Sequence, residues 1–180
     1  NELKKNPDVE FAQPNYKLYT STMPKDSRFD EQWALYNTGQ TVGGQAGNQG
    51  IDINISEVWE ITTGSKNVIV GILDSGIDID HKDLEENVYV NKNEIPDNGI
   101  DDDNNGYIDD INGWDFFNED NSVYDSATAD KHGTHVAGIV AAEANGIGIR
   151  GVAPNVKVLP LKFISGGFGY TSDAIEAIAY

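Results

Sequence analysis

The sequence predicts an α/β domain with a mostly parallel sheet flanked by helices, and three stretches carry that expectation. Residues 67–73 read Asn-Val-Ile-Val-Gly-Ile-Leu, an apolar run rich in β-branched residues between Thr-Gly-Ser and Asp-Ser-Gly. Such a run suits a strand covered on both faces, as in a parallel sheet. Residues 132–144 are almost all small or apolar, with Gly133, Ala137, Gly138, Ala141 and Ala142 leaving no continuous polar face, the pattern of a helix buried all round. Residues 156–163 supply a second strand after that helix. Strand, loop, helix, strand and helix in this order imply right-handed crossovers, with functional residues beyond the carboxyl ends of the strands.

The remaining elements follow in chain order. Residues 9–19 alternate enough to be extended, with Pro14 restricting them to an edge or an end. Residues 20–28 are polar, carry Pro24 and read as a linker, and Trp33, Leu35 and Tyr36 then offer a surface that packs on a body. Residues 38–50 hold five of the 19 glycines and form a loop; residues 51–61 form a short helix capped by Asn54 or Ser56 and anchored by Val58 and Trp59. Pro160 is awkward inside the second strand, because proline cannot donate to a ladder and marks an edge or a bulge. From Ser172 onward, Ala174, Ile175, Ala177, Ile178 and Ala179 fall at helical spacing up to Tyr180, with no stop signal.

Composition limits the function. At 180 residues the chain is one domain or part of one, with 12 Lys+Arg against 30 Asp+Glu, a formal net charge of −18 and no cysteine. The charge argues against nucleic-acid and anionic-membrane partners and favours solubility or cation binding, with calcium the obvious candidate. Without cysteine there are no disulfides, thiolate metal sites or thiol nucleophile. No apolar run reaches the 18 residues of a membrane span, and residues 1–6 hold no signal-like segment.

Asp74 directly follows the first strand, and His132 opens the small-residue helix, whose packing is expected to hold it in place. Alone, Asp74 reads equally as a turn residue or helix cap, and His132 as a structural histidine. Together they supply what a general base needs, an imidazole whose other nitrogen is held by a carboxylate that fixes its tautomer and stabilises the imidazolium.

At this point the motifs resemble a family. Asp74-Ser-Gly-Ile-Asp78, His132-Gly-Thr-His-Val-Ala-Gly138 and Gly151-Val-Ala-Pro154 are similar to the blocks around the catalytic Asp and His of the subtilisin-like serine proteases, in family order and covering roughly residues 26–180. The resemblance implies an incomplete subtilisin-like domain in a serine endopeptidase that acts on polypeptides. Asp74 would orient the base, His132 would be the base, and His135 would be structural. It also implies secretion and synthesis as a zymogen. Residues 1–22, with Gln-Pro-Asn-Tyr inside them, resemble the end of a propeptide and its linker, leaving 23–180 as the first part of the catalytic domain and the chain's own propeptide as a partner. The nucleophilic Ser motif and the oxyanion-hole Asn of the family have no match among these residues, and neither Ser75 nor Ser165 stands in that context. Gly167, Phe168, Gly169 and Tyr170 correspond to the stretch that pairs with substrate as an added strand; a plain glycine-rich loop is the other reading.

Calcium enters at two places. By the resemblance, the loop after the helix of residues 132–144 binds it through the carbonyls of Glu143, Ile147 and Ile149, the Asn145 side chain and Asp83, with Asp26 contributing; a Schellman-type helix end at Asn145-Gly146 could coexist with this. Independently, residues 94–110 hold seven acidic and no basic residues, and from Asp101 the oxygens of Asp101, Asp103, Asn105 and Asp109 fall at positions 1, 3, 5 and 9 with Gly106 at 6. That is EF-hand-like spacing, although Asn112 replaces the usual twelfth-position Glu; a solvated acidic loop is the alternative. Two other classes stay open: a non-catalytic calcium-stabilised module or pseudoprotease, and a metallohydrolase using His132, His135 and Asp74.

Overall fold

The computed structural model of the chain describes Pro7 and residues 23–180. The extended segment expected at residues 9–19 and the propeptide boundary expected at residue 22 lie outside the described residues. A hairpin of β1 (Thr41–Val42) and β2 (Gln45–Ala46) comes first, then α1 (Ile55–Trp59), β3 (Ile69–Asp74), β4 (Trp114–Asp115), α2 (Lys131–Ala141), β5 (Lys157–Lys162) and α3 (Thr171–Ala179). The three later strands form a parallel sheet in the order β3-β5-β4, with Asp74 opposite Lys162 at the end of the longer pair.

Side-chain alternation along the strands divides the core between the two faces of this sheet. Val158 and Ile72 pack with Ala137 and Ala141 of α2, together with Ile77, Leu84 and Val156. Leu161, on the opposite face, packs with Phe116 and with Ala177 of α3, bordered by Tyr107, Trp114 and Tyr180. The domain is therefore α/β with helices on both faces, as expected. A third cluster of Phe29, Leu35 and Ile55 closes the amino-terminal segment over Trp59 and Val152.

Several local expectations are corrected. Pro160 sits in the central strand rather than at an edge or bulge. The Phe163 and Lys157 amides donate toward β3, whereas the Val158 and Lys162 carbonyls accept from Tyr89 and Phe116 on the other side. Alternation turns Pro160 to that second side, where β4 has not yet begun, so its missing N–H removes no bond to β3. Gly113 fills the gap: a Cβ there would lie 2.0 Å from the Pro160 carbonyl oxygen.

Helix α2 ends at Ala141 instead of running to Ala144, so no Schellman end forms at Asn145-Gly146. Nor is it buried all round, since Lys131, His132, His135 and Ile139 are exposed along one side. The first strand is covered in its carboxyl half only, with Val68 and Ile69 about half exposed (49% and 48%). Trp33 and Val58 face solvent, and α1 is anchored by Ile55 and Trp59; Asn54 stands at its N-cap in a left-handed conformation without a side-chain cap bond.

Candidate active site

Asp74 is the last residue of β3 and His132 the second residue of α2. The turn after Asp74 and the first turn of α2 are fastened to each other. The Gly133 amide donates to Ser75 Oγ (3.2 Å), and the Asp78 amide donates to Thr134 Oγ1 (2.9 Å). Gly133 must lack a side chain, because a Cβ would stand 2.2 Å from the Gly76 carbonyl oxygen. These contacts account for the residue types in both motif blocks: serine and threonine supply the cross-links, and glycine permits the approach.

The result is an imidazole resting on a carboxylate. His132 Nδ1 lies 2.8 Å from both Asp74 oxygens, and Asp74 Oδ1 also accepts the Ser75 amide at 2.7 Å. The Asp74 side chain is largely buried at 12% exposure, while that of His132 is 74% exposed. His132 is thus held by the carboxylate rather than by surrounding packing. With Nδ1 facing Asp74, the proton is assigned to Nδ1, leaving Nε2 as an outward acceptor.

His135 turns elsewhere. It lines a groove of about 790 Å³ with Asp78, His81, Tyr124 and Ile139. Among the described residues, three metal-ligating side chains converge within 4.8 Å only at Glu94, Asp101 and Asp103, so His132, His135 and Asp74 do not form a metal site.

The Gly166–Tyr170 region is a tight turn with an aromatic edge. The Ser165 amide donates to the Phe168 carbonyl (3.0 Å), and the Phe168 amide donates back to Ser165 (3.2 Å). Gly166 and Gly167 take the positive φ values this turn requires, +60° and +87°. Phe168 has therefore spent its own backbone groups, and Gly169 presses on the Phe163 carbonyl, where a Cβ would come within 2.3 Å. Phe168 and Tyr170 are exposed and pack around Phe117.

The expected calcium loop gathers around Asp83. Its Oδ2 accepts the Ile149 amide (3.0 Å), while Oδ1 is buried with no hydrogen-bond partner. Burial pushes the Asp83 carboxyl above the usual carboxylate range against the pull of the Ile149 N–H. Asn145 reaches the same region, accepting the Ile147 amide and donating to the Lys82 carbonyl. Glu143 donates its amide to the Asp83 carbonyl and accepts the Glu86 amide on its side chain. Asp26 arrives from the expected linker, yet its Oδ2 is bound by Arg150 at 2.6 and 2.7 Å and its Oδ1 by the Gly146 amide. It is neutralised within the protein rather than left free for a cation.

In the acidic insertion, Asp101 and Asp103 lie together as the spacing suggested. The third acid is Glu94, which sequence reading passed over. Asp109 instead accepts the Asn98 and Gly99 amides, and Asn105 accepts the Tyr107 amide while donating to Asp110. Lys162 was also missed, although a lysine inside an apolar strand run was a legible signal.

The site is thus a carboxylate-backed imidazole on the carboxyl edge of a parallel sheet, in an α/β domain. Residues 65–180 match the subtilase family model, and the chain belongs to that family. It is 33% identical to the thermophilic serine proteinase of Bacillus sp. strain AK1 over 99% of this chain and 35% of that protein. It is equally 33% identical to an extracellular protease of Xanthomonas campestris, over 99% and 29% of the respective chains. Among solved structures, the serine protease of Aeromonas sobria in complex with its chaperone aligns at TM-score 0.59 and 26% identity, over 86% of this chain and 23% of that one. Fervidolysin of Fervidobacterium pennivorans, a keratinolytic enzyme related to subtilisin, aligns at TM-score 0.54 and 26% identity, over 97% and 22%. The chain spans about a third of the length of these two curated relatives. Among the described residues no helix is long and apolar enough to cross a membrane.

Proposed function

We propose that the intact protein is a secreted, calcium-stabilised serine endopeptidase in which Asp74 orients His132 and His132 acts as general base. The observation that carries this reading is the 2.8 Å contact of His132 Nδ1 with Asp74, which leaves Nε2 outward. Nε2 would take the proton of a serine hydroxyl as it attacks the scissile carbonyl and return it to the leaving amine; Asp74 would stabilise the imidazolium between the two transfers. Ser75 does not suit the nucleophile's role, because it is buried and its hydroxyl accepts the Gly133 amide. We assign the nucleophile and the oxyanion-hole donor to sequence outside these 180 residues.

The substrate is an extended polypeptide lying along Gly167, Phe168, Gly169 and Tyr170, with the Phe117 cluster as an apolar contact for its side chains. Residues 1–22 are read as the end of the propeptide. Secretion is favoured by the relatives named extracellular proteases. Calcium fits the Asp83 loop, because a buried carboxylate oxygen without a donor calls for a cation. Asp83, the Asn145 side chain and the carbonyls of Glu143, Ile147 and Ile149 would hold it, and Asp26 would shape the loop from outside through Arg150. Bound there, calcium supplies the positive charge that Asp83 lacks. The cluster of Glu94, Asp101 and Asp103 is proposed as a second cation site.

The test is inactivation of the intact protein by a serine-directed fluorophosphonate. Stoichiometric labelling with loss of peptide hydrolysis is expected. Full activity after exposure, or inactivation by a zinc chelator alone, would sink the assignment.

A further inference from the structure

Lys162 is fully buried at the end of β5, and three carboxylates surround its ammonium. Its Nζ lies 2.5 Å from Asp125 Oδ2, 3.3 Å from Asp130 Oδ1 and 3.4 Å from Asp115 Oδ2. Burial pulls the ammonium down, but the Asp125 hydrogen bond and the charges of Asp115, Asp130 and Asp125 more than offset it, so Lys162 titrates above the ordinary lysine range.

The three carboxylates are rooted in different pieces of the site. Asp115 ends β4 and accepts the Phe117 and Asn118 amides. Asp130 immediately precedes α2, its carbonyl accepts the Thr134 amide of the first helical turn, and its Oδ2 gathers the Asp125 and Ser126 amides. Its Oδ1 makes no hydrogen bond and is answered only by the Lys162 ammonium.

The same cation underlies the Asp74 side. Lys162 and Asp74 are register partners at the ends of their strands. Gly76, two residues beyond Asp74 with φ +113°, lies against the cluster: a Cβ there would meet Asp130 Oδ1 at 2.8 Å and Lys162 Cδ at 3.0 Å. Lys162 thus touches both the turn that carries Asp74 and the residue that starts the helix carrying His132.

We propose that Lys162 is a positioning residue, setting the separation of the Asp74 turn and the start of α2 that pairs His132 with Asp74. The inference rests on the peptidase reading above. Lys162 does not touch substrate; it acts through Asp130 and Gly76 on the geometry of the base. Losing its charge leaves the Asp130 oxygen buried beside two other carboxylates, and mutual repulsion moves the start of α2 away from Asp74. A displacement of about 1 Å at a reacting group lowers turnover on the order of 100-fold.

The experiment measures kcat and KM of the intact protein on an unstructured peptide for Lys162→Met, Lys162→Arg, Asp130→Asn and Asp74→Asn, with circular dichroism to confirm folding. Lys162→Met is expected to lower kcat about 100-fold with KM within about threefold, and Lys162→Arg to recover kcat to within about tenfold of the parent. Parental kcat in folded Lys162→Met overturns the proposal, as does a rise in KM alone or an Arg variant as slow as Met. If Lys162→Met does not fold, Asp130→Asn decides: kcat lowered about tenfold at unchanged KM supports the proposal, and parental kcat overturns it. Asp74→Asn separates the two readings, because its full activity would refute the peptidase roles themselves, whereas full activity confined to the Lys162 and Asp130 variants refutes only the positioning role.

Discussion

Two acidic regions of this molecule treat their carboxylates in opposite ways. In the insertion, the chain wraps its own amides around the acids: Asp101 accepts the Asn105 and Gly106 amides, Asp103 the Asn105 amide and the Asn91 side chain, and Glu94 the Asp103 and Asp109 amides. Around Asp83 there are fewer charges, yet one buried oxygen has no donor, and the neighbouring Asp26 is matched by Arg150. Counting charges ranks the insertion first as a cation site. Accounting for each buried oxygen ranks the Asp83 loop first, because amide donors already stabilise the insertion's carboxylates whereas Asp83 pays for desolvation with a single N–H. Demand for a cation follows unsatisfied buried oxygens more closely than formal charge.

If both regions serve stability rather than chemistry, the largest effect on turnover comes from a variant outside them. Asp74→Asn in the intact protein is expected to lower kcat by about 10⁴-fold near neutral pH, since the amide can hold the wrong imidazole tautomer. The fold and calcium binding at both regions should be unchanged. Calcium titration calorimetry beside the kinetics checks this, and lost calcium binding in that variant would mean that the site and the loops are not separable.

Next in size is the Asp83 loop. Calcium at a thousandfold excess over its dissociation constant should stabilise the intact protein by about 4 kcal/mol, read as a lower melting temperature after chelation. Asp83→Asn should change sign with the metal: destabilising when calcium is present, and stabilising by about 1 kcal/mol when it is absent, because a buried unpaired charge is removed. The pH dependence has a definite direction. With its carboxyl raised in the folded protein, Asp83 contributes metal-free stability below the ordinary unfolded carboxylate value, and that contribution is lost as pH rises through the folded value. The Asn variant should not show this loss. A metal-free parent that gains stability relative to the variant over that window would contradict the unpaired-oxygen account.

Asp101→Asn should do less. Its carboxylate is only half-buried and already holds two amides, so metal-free stability should change by about 0.5 kcal/mol or less. Terbium luminescence titration should lose the weaker of two binding phases and keep the tighter. If the tighter phase disappears, the ranking of the two regions is reversed. The smallest effect belongs to His135→Gln, with kcat expected within about twofold of the parent, because the ring lies in the groove away from Asp74. Loss of turnover as complete as in His132→Gln would return the two histidines to a shared role.

The parts of the site legible in the sequence were those whose chemistry is local. A carboxylate placed directly after an apolar strand and a histidine opening a small-residue helix were both visible as text, and the glycine after His132 and the Ser75 and Thr134 hydroxyls explain why these blocks have a recognisable spelling. The insertion's spacing led to Asp101 and Asp103 but chose Asp109 as a partner where Glu94 stands. Spacing within a loop records which residues alternate, and not which distant acid folds back across them. Pro160 was misplaced for a related reason: the proline rule concerns a missing donor, and which neighbour would have received it depends on strand order.

By itself the sequence determined the α/β class, the two strands and two helices that frame the site, and the Asp74 and His132 candidates. Patterns with periods of two and near four residues, and motifs of five to seven, are properties of neighbouring residues along the chain. Only the tertiary structure decided that His132 is held by Asp74 while remaining exposed, that Asp26 is claimed by Arg150, that Asp83 keeps an unpaired oxygen, and that Lys162 gathers Asp115, Asp125 and Asp130 beneath both halves of the pair. Each of these depends on which groups distant in sequence meet. Long-range packing brings Asp74 under an exposed His132, and places residues 26 and 150, or 115, 130 and 162, in low-dielectric neighbourhoods that local sequence patterns do not specify.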